Sequence, residues 1–225
     1  MSIEYIESKN YFSRDGHKPE FIVIHIMQGM MEGTISWFKN PASGVSAHYL
    51  VGKDGRVVQM VKDAEAAWHA GRIHNPSEKA KRILKTNLFG GYVNPNKYSL
   101  GIECEGRAGD MWMEAQIQSL AELIKMLCAR FDILRDDLHI IDHQEIASYK
   151  EQMDDWIQEV IRRLQQNEVT EDREKIKKQI IELVNKLWAH LQKRPSNIYS
   201  LSLLIREHPR SFRFCLRGCR TIRAG

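Results

Sequence analysis

Cysteine is scarce in this chain of 225 residues, and Cys104, Cys128, Cys215 and Cys219 are too scattered to frame a disulfide-stapled fold. Reduced thiols are the expectation. Cys215 and Cys219 are four apart with His208 nearby, yet a structural zinc site there would need a fourth ligand that the sequence does not supply. Long apolar runs are missing too: nothing approaches the roughly 20 uninterrupted apolar residues that span a bilayer, so no membrane span is expected. The opening Met1 to Glu7 lacks the basic and then apolar regions of a secretory signal, which leads to the expectation of a protein made in the cytoplasm. Internal repeats, low-complexity tracts and recognised nucleic-acid motifs are also absent, so nucleic acid is not expected as a partner.

What is present is an ordinary globular composition, 43% hydrophobic and 28% charged, in a chain long enough for one substantial core and a smaller appendage. The charge is unevenly divided. Residues 1–166 carry 20 Lys and Arg against 23 Asp and Glu, whereas residues 167–225 carry 13 against 6. A near-neutral body followed by a basic part suggests a catalytic domain, 1–166, and an extension, 167–225, that meets a polyanion; a solvated basic helix fits the same numbers equally well.

Hydrophobic patterning supplies the elements. Phe21 to His25 is an apolar run suited to a strand buried on both faces. Thr34 to Phe38 reads as a short helix stopped by Asn40-Pro41. Ala47 to Val51 and Arg56 to Met60 flank Lys53-Asp54-Gly55, a strong hairpin signal. After Ala66 to Gly71 a polar stretch runs to about residue 98, with room for a turn or two of helix over 78–88; a loop of that length suits the lining of a groove. Ile117, Leu120, Ala121, Ile124, Leu127, Cys128 and Phe131 form one helical stripe over 113–131. A second helix is expected over 155–166, and a third over 171–191 with Thr170 as its N-cap, leaving 167–170 as the domain boundary. Strands and helices in mixed order, with one hairpin, imply an α/β fold: a mixed central sheet flanked by helices, with a helical basic C-terminal extension.

Three of the apolar runs end on ligand-type side chains. His25 closes the first, Glu103 closes Ser99 to Glu103, and His143 closes Leu138 to His143. A lone histidine beside an apolar run is usually a hydrogen-bonded core residue, but His, His and Glu at three strand ends are what a catalytic zinc with a nearby general base requires.

The motifs then become recognisable as a series: Ile22-Val23-Ile24-His25, Val45-Ser46-Ala47-His48-Tyr49, Lys53-Asp54-Gly55, Ala67-Trp68-His69-Ala70-Gly71, Ser99-Leu100-Gly101-Ile102-Glu103 and Asp142-His143-Gln144-Glu145. In that order, over roughly residues 20–156, they resemble the type 2 N-acetylmuramoyl-L-alanine amidases, which share a fold with phage lysins and peptidoglycan-recognition proteins. The resemblance implies a Zn2+ hydrolase cutting the amide between N-acetylmuramic acid and the L-alanine of the stem peptide, with bacterial peptidoglycan as partner. It implies His25 and His143 as metal ligands, Glu103 as the acidic residue over the metal and Lys150 as the cation for the oxyanion. His48, Trp68 and His69 are implied as substrate contacts, although the alternation of His48 with Tyr49 and Val51 leaves open whether it faces core or cleft.

The chain departs from the family at the third ligand. Family members continue with Lys-x-Asp-Pro or a cysteine, whereas here the run is Lys150 to Trp156 with Gln152 at the matching position. An amide is a poor zinc ligand, and Asp155 before Trp156 has the place of an N-cap, so the assignment falls on Asp154. Without a signal segment, the resemblance suggests a phage or prophage endolysin that reaches the wall after release, its basic extension meeting anionic wall polymers. A cytoplasmic wall-recycling amidase and a non-catalytic muropeptide-binding module are the alternatives.

Overall fold

A computed structural model describes residues 2–150 and 152–192, without the side chains of Asp154 and a few residues farther along the last helix; Cys215, Cys219 and His208 lie outside the described residues. The centre is a six-stranded sheet, in the order β1-β5-β4-β7-β3-β8. Its strands are β1 (Ile3–Tyr5), β3 (Phe21–Ile26), β4 (Tyr49–Val51), β5 (Val57–Gln59), β7 (Ser99–Cys104) and β8 (Ile140–Asp142). A separate pair joins β2 (Tyr11–Ser13) to β6 (Glu65–Ala67).

The apolar run Phe21 to His25 lies in the interior strand β3, hydrogen-bonded in parallel to β7 on one side and β8 on the other. Phe21, Ile22, Val23 and Ile24 are buried, as a strand covered on both faces demands. The hairpin over Lys53-Asp54-Gly55 forms between β4 and β5. Gly55 takes φ +87 there, and a Cβ would come within 3.0 Å of backbone on the helix packed beneath, so the turn and the packing both select glycine.

That helix, α3 (Glu114–Phe131), lays Ile117, Leu120, Ala121, Ile124, Leu127 and Cys128 against Ile22, Ile24, Leu100 and Ile102 of the sheet. The smaller α1 (Met31–Lys39) packs Met31, Ile35 and Phe38 on Leu50 and Val58. α2 (Glu78–Lys81) is a single turn, and α4 (His143–Ile146) follows β8 directly. Cys104 and Cys128 are buried and stand outside any disulfide among the described residues.

Residues 1–20 contain β1 and β2, whose three-residue length gives too little alternation to be seen in sequence. Two expectations are corrected. α1 starts at Met31, a full turn before Thr34, because burial of Met31 extends it. The two helices expected over 155–166 and 171–191 are one, α5 (Asp154–Gln192). Thr170 is therefore mid-helix and Asp155 lies in the first turn, neither being an N-cap. Polar residues at 165–172 suit a helix exposed on all sides as well as they suit a linker.

The described residues up to Glu168 form one compact unit and those from Val169 another. In the first, α5 buries Ile157, Val160, Ile161 and Leu164 and stacks Trp156 on Trp112 at 5.3 Å. In the second, Ile176, Ile180, Leu183, Val184, Leu187 and Trp188 are exposed. Among the described residues no helix is long and apolar enough to cross a membrane.

Candidate active site

The parallel strands β7, β3 and β8 end on one edge of the sheet, where ligand sites of α/β folds form. The register sets His25 beside Glu103 and Ile24 beside Asp142, so His143, the first residue of α4, emerges next to His25 and on the same edge as Glu103. The rings of His25 and His143 meet edge-on with centroids 4.5 Å apart, and those of His25 and His69 at 5.2 Å.

The loop after α4 is folded back by one carboxylate. Asp142 caps α4 by accepting from Glu145 N–H at 3.0 Å, and its other oxygen accepts from Met153 N–H at 3.0 Å. Between these anchors the chain presents Tyr149 and Lys150, whose Nζ sits 5.4 Å over the Tyr149 ring.

A cavity of about 420 Å3 covers the centre, and His25, Trp68, His69, Glu103, His143 and Lys150 all line it. It shares walls with one of about 570 Å3, reaching Arg72 and Asn94, and with one of about 290 Å3, reaching Gly33 and Trp37. Together they make a groove that extends to both sides of the histidines. Trp68 is 44% exposed and edge-on to Phe12 at 6.1 Å, so one face is free for a ligand.

Burial governs the protonation states. It pushes Glu103 up to about 7, with the nearby Lys150 charge opposing the shift, and it holds His143 down to about 3, Lys150 adding to the effect. His25 and His69 are likewise kept neutral by burial and by neighbouring imidazoles. Oε2 of Glu103 is buried with no hydrogen-bond partner among the described residues. A buried carboxylate oxygen left unspent is costly, and such an atom marks a place prepared for something else.

His48 is corrected. It is 0% exposed, Nδ1 accepts from Gly101 N–H at 3.0 Å, and Nε2 lies 3.1 Å from the Glu65 carbonyl and 2.8 Å from Arg14 Nη2. With no free nitrogen and no access to the groove, it braces the sheet and cannot touch a substrate. Arg14, buried itself, donates to the carbonyls of Asp63, Lys97 and Ser99 at 2.8 to 3.1 Å. Sequence reasoning missed Arg14, Tyr149 and Asn96; the last receives the backbone N–H groups of His69 and Ala70, and only its place in a polar loop could have flagged it.

The two histidines and the unpartnered carboxylate fit a zinc ion in their chemistry: neutral imidazoles keep lone pairs for it, and a base stands close by. Among the described residues no group of three or more His, Cys, Asp or Glu side chains is gathered as a ligand set. The Asp154 side chain, assigned as third ligand from sequence, lies outside the described residues.

Residues 15–156 match the Amidase_2 family, described as N-acetylmuramoyl-L-alanine amidase. N-acetylmuramoyl-L-alanine amidase A of Achromobacter lyticus is 36% identical over 126 residues, covering 55% of this chain and 59% of that protein, so the chain spans well under the relative's full length. The 1,6-anhydro-N-acetylmuramyl-L-alanine amidase AmpD of Salmonella typhimurium is 28% identical, covering 59% of this chain and 74% of AmpD. Among solved structures, AmpD superposes with a TM-score of 0.53 at 23% identity, covering 70% of this chain and 93% of its own. The catalytic domain of XlyA gives 0.52 at 20%, covering 72% and 99%, and these two likenesses bear on the fold. With a family match over residues 15–156, more than half its length, the chain belongs to the N-acetylmuramoyl-L-alanine amidase family.

Proposed function

We propose that the protein is a zinc-dependent peptidoglycan hydrolase that cleaves the amide between the lactyl group of N-acetylmuramic acid and the L-alanine of the stem peptide. The observation that carries this is the buried, unpartnered Oε2 of Glu103 beside two neutral histidines at the ends of three adjacent parallel strands. His25 and His143 would hold the metal, with Asp154 completing the set. When bound, zinc supplies Lewis-acid polarisation and acidifies the attacking water.

The chain's own residues do the rest. Glu103, with its acidity near 7, takes the proton from water during attack and returns it to the departing alanine amine, since a base poised near neutrality can serve in both directions. Lys150 faces the negative charge that builds on the carbonyl oxygen, a role that strengthens as the groove dries. Trp68 offers its open face to the sugar or peptide. Arg72 and Lys150 on the groove wall suit a peptide bearing carboxylates.

The proposed setting is a phage or prophage lysin, made in the cytoplasm and acting on the wall after release, with the basic extension 167–225 drawn to anionic wall polymers. The likeness to AmpD, named for anhydro-muramyl substrates, favours a second setting in wall recycling. Mass spectrometry of digested sacculi tests the reaction: intact stem peptides with a free L-alanine amine are expected, and new reducing sugar ends would overturn it. Faster turnover of whole sacculi than of anhydro-muropeptides supports the lysin, and the reverse supports recycling. Binding of muropeptides with neither zinc nor cleavage would make the chain a binding module.

A further inference from the structure

Beside His25 stands a ring with an unusually specific seat. A Cβ built on Gly101 would lie 2.5 Å from Cγ of His69, so this glycine in the middle of β7 leaves the space that the imidazole fills. The ring's backbone is fixed as well, through the His69 and Ala70 N–H groups on Asn96 Oδ1 at 3.3 and 2.7 Å. Both ring nitrogens are engaged. Nε2 is 3.2 Å from Ser99 Oγ, and Nδ1 is 3.1 Å from Nε2 of His25.

Counting hydrogens along this line decides who donates. The Ser99 hydroxyl has one hydrogen and is 2.8 Å from the Pro95 carbonyl, which can only accept, so the hydrogen goes there. The proton between His69 and Ser99 must then be on Nε2 of His69. A neutral imidazole carries a single N–H, so Nδ1 of His69 is an acceptor and the hydrogen facing it belongs to Nε2 of His25. That leaves Nδ1 of His25 as a bare lone pair, and among the described residues no hydrogen bond reaches it.

We propose that His69 is a positioning residue: through the Pro95–Ser99–His69 relay it holds His25 in the Nε2–H tautomer and reserves the Nδ1 lone pair of His25 for the metal ion. A metal-ligating histidine that donates its other nitrogen to a fixed acceptor keeps both tautomer and ring orientation, and loss of such an acceptor typically weakens metal binding 10- to 100-fold. This role, rather than contact with substrate, accounts for an imidazole at position 69. It rests on the zinc reading above, but the tautomer is measured without metal, so the two can fail separately.

The experiment uses the full chain labelled with 15N-histidine and stripped of metal, in two-bond proton–nitrogen correlation spectra at pH 7.5, followed by zinc affinity from competition with a chromophoric chelator. Wild type should show His25 and His69 both as Nε2–H. His69→Asn keeps an acceptor where Nδ1 was, so the His25 tautomer should persist and affinity stay within a few-fold. His69→Leu fills the seat without an acceptor; His25 should then populate Nδ1–H and zinc should bind roughly 10- to 100-fold more weakly. A space-filling role would give the reverse order, with Leu rescuing and Asn failing, and would overturn the proposal. Ser99→Ala, a smaller change, should let His69 populate Nδ1–H, and unchanged tautomers in this variant would also overturn it. His25 found as Nδ1–H in wild type ends it outright. A wild type with the expected tautomers that binds no zinc supports the lock and overturns its service to a metal.

Discussion

Gly101 separates two histidine-centred regions that look alike by burial and differ in what their polar atoms are doing. On one side His48 and Arg14 spend their hydrogen bonds on Gly101, Glu65, Asp63, Lys97 and Ser99. On the other, Glu103 keeps a buried oxygen without a partner, and His143 has no side-chain hydrogen bond among the described residues. Burial lowers the histidines of both regions, His48 and His143 each to about 3. A shifted protonation equilibrium therefore does not distinguish scaffold from site here. Among the described residues two buried side-chain oxygens lack a partner, Gln116 Oε1 in α3 and Glu103 Oε2, and it is the one that lines the groove beside His25 and His143 that marks the site.

The sharpest way to break this contrast is Glu103→Gln. Activity on peptidoglycan should fall by about 10² to 10⁴, the usual contribution of a positioned general base, while the thermal midpoint of the metal-free protein stays level or rises. A variant that unfolds early would place Glu103 with the scaffold. Arg14→Ala should do the opposite. It strips donors from several buried carbonyls and should cost about 3 kcal/mol in urea unfolding, with kcat of the folded fraction within a few-fold of wild type. Lys150→Gln comes next, lowering kcat by about 10- to 100-fold without a change in unfolding, since the side chain is exposed and holds nothing in place.

The smallest effects concern pH, and His48 and Glu103 should respond with opposite sign. An unfolded His48 gains its proton near pH 6.5 and the folded one at about 3. Between those values the unfolded chain binds more protons, so stability drops as pH falls through that window. Glu103 is reversed: unfolded it ionises near 4.5, folded near 7, so its contribution to stability declines as pH rises between the two. Urea midpoints of metal-free wild type and Glu103→Gln at pH 4 and pH 8 test this. The variant should gain on wild type at pH 8 and match it at pH 4; equal differences at both would mean that Glu103 is not held protonated.

Much of this was legible because the informative residues sit where patterns end. The run Phe21 to His25 announces a buried strand, and its last residue falls on the rim where Glu103 and His143 also fall. α3 was readable because a long stripe at three- and four-residue steps admits no other element. His48 was not readable, since alternation in a strand buried on both faces does not say which face meets a cleft. Nor was Arg14, a charged residue in a polar stretch whose partners are carbonyls as far away as Ser99. The continuity of α5 escaped for a related reason: Thr170 with acidic residues behind it has the composition of a helix start, and only the backbone shows that none occurs.

Asp142 ties together two segments that would otherwise be independent. The same carboxylate holds the first turn of α4, which begins with His143, and the amide of Met153, where the loop bearing Lys150 returns. Through separate oxygens, one side chain therefore tethers both the helix that begins with His143 and the far end of the segment that carries Lys150. The Met153 amide is a built-in reporter for that tether: its hydrogen-exchange rate reads how often the bond to Asp142 opens, and a substrate that reaches across to Lys150 should slow it.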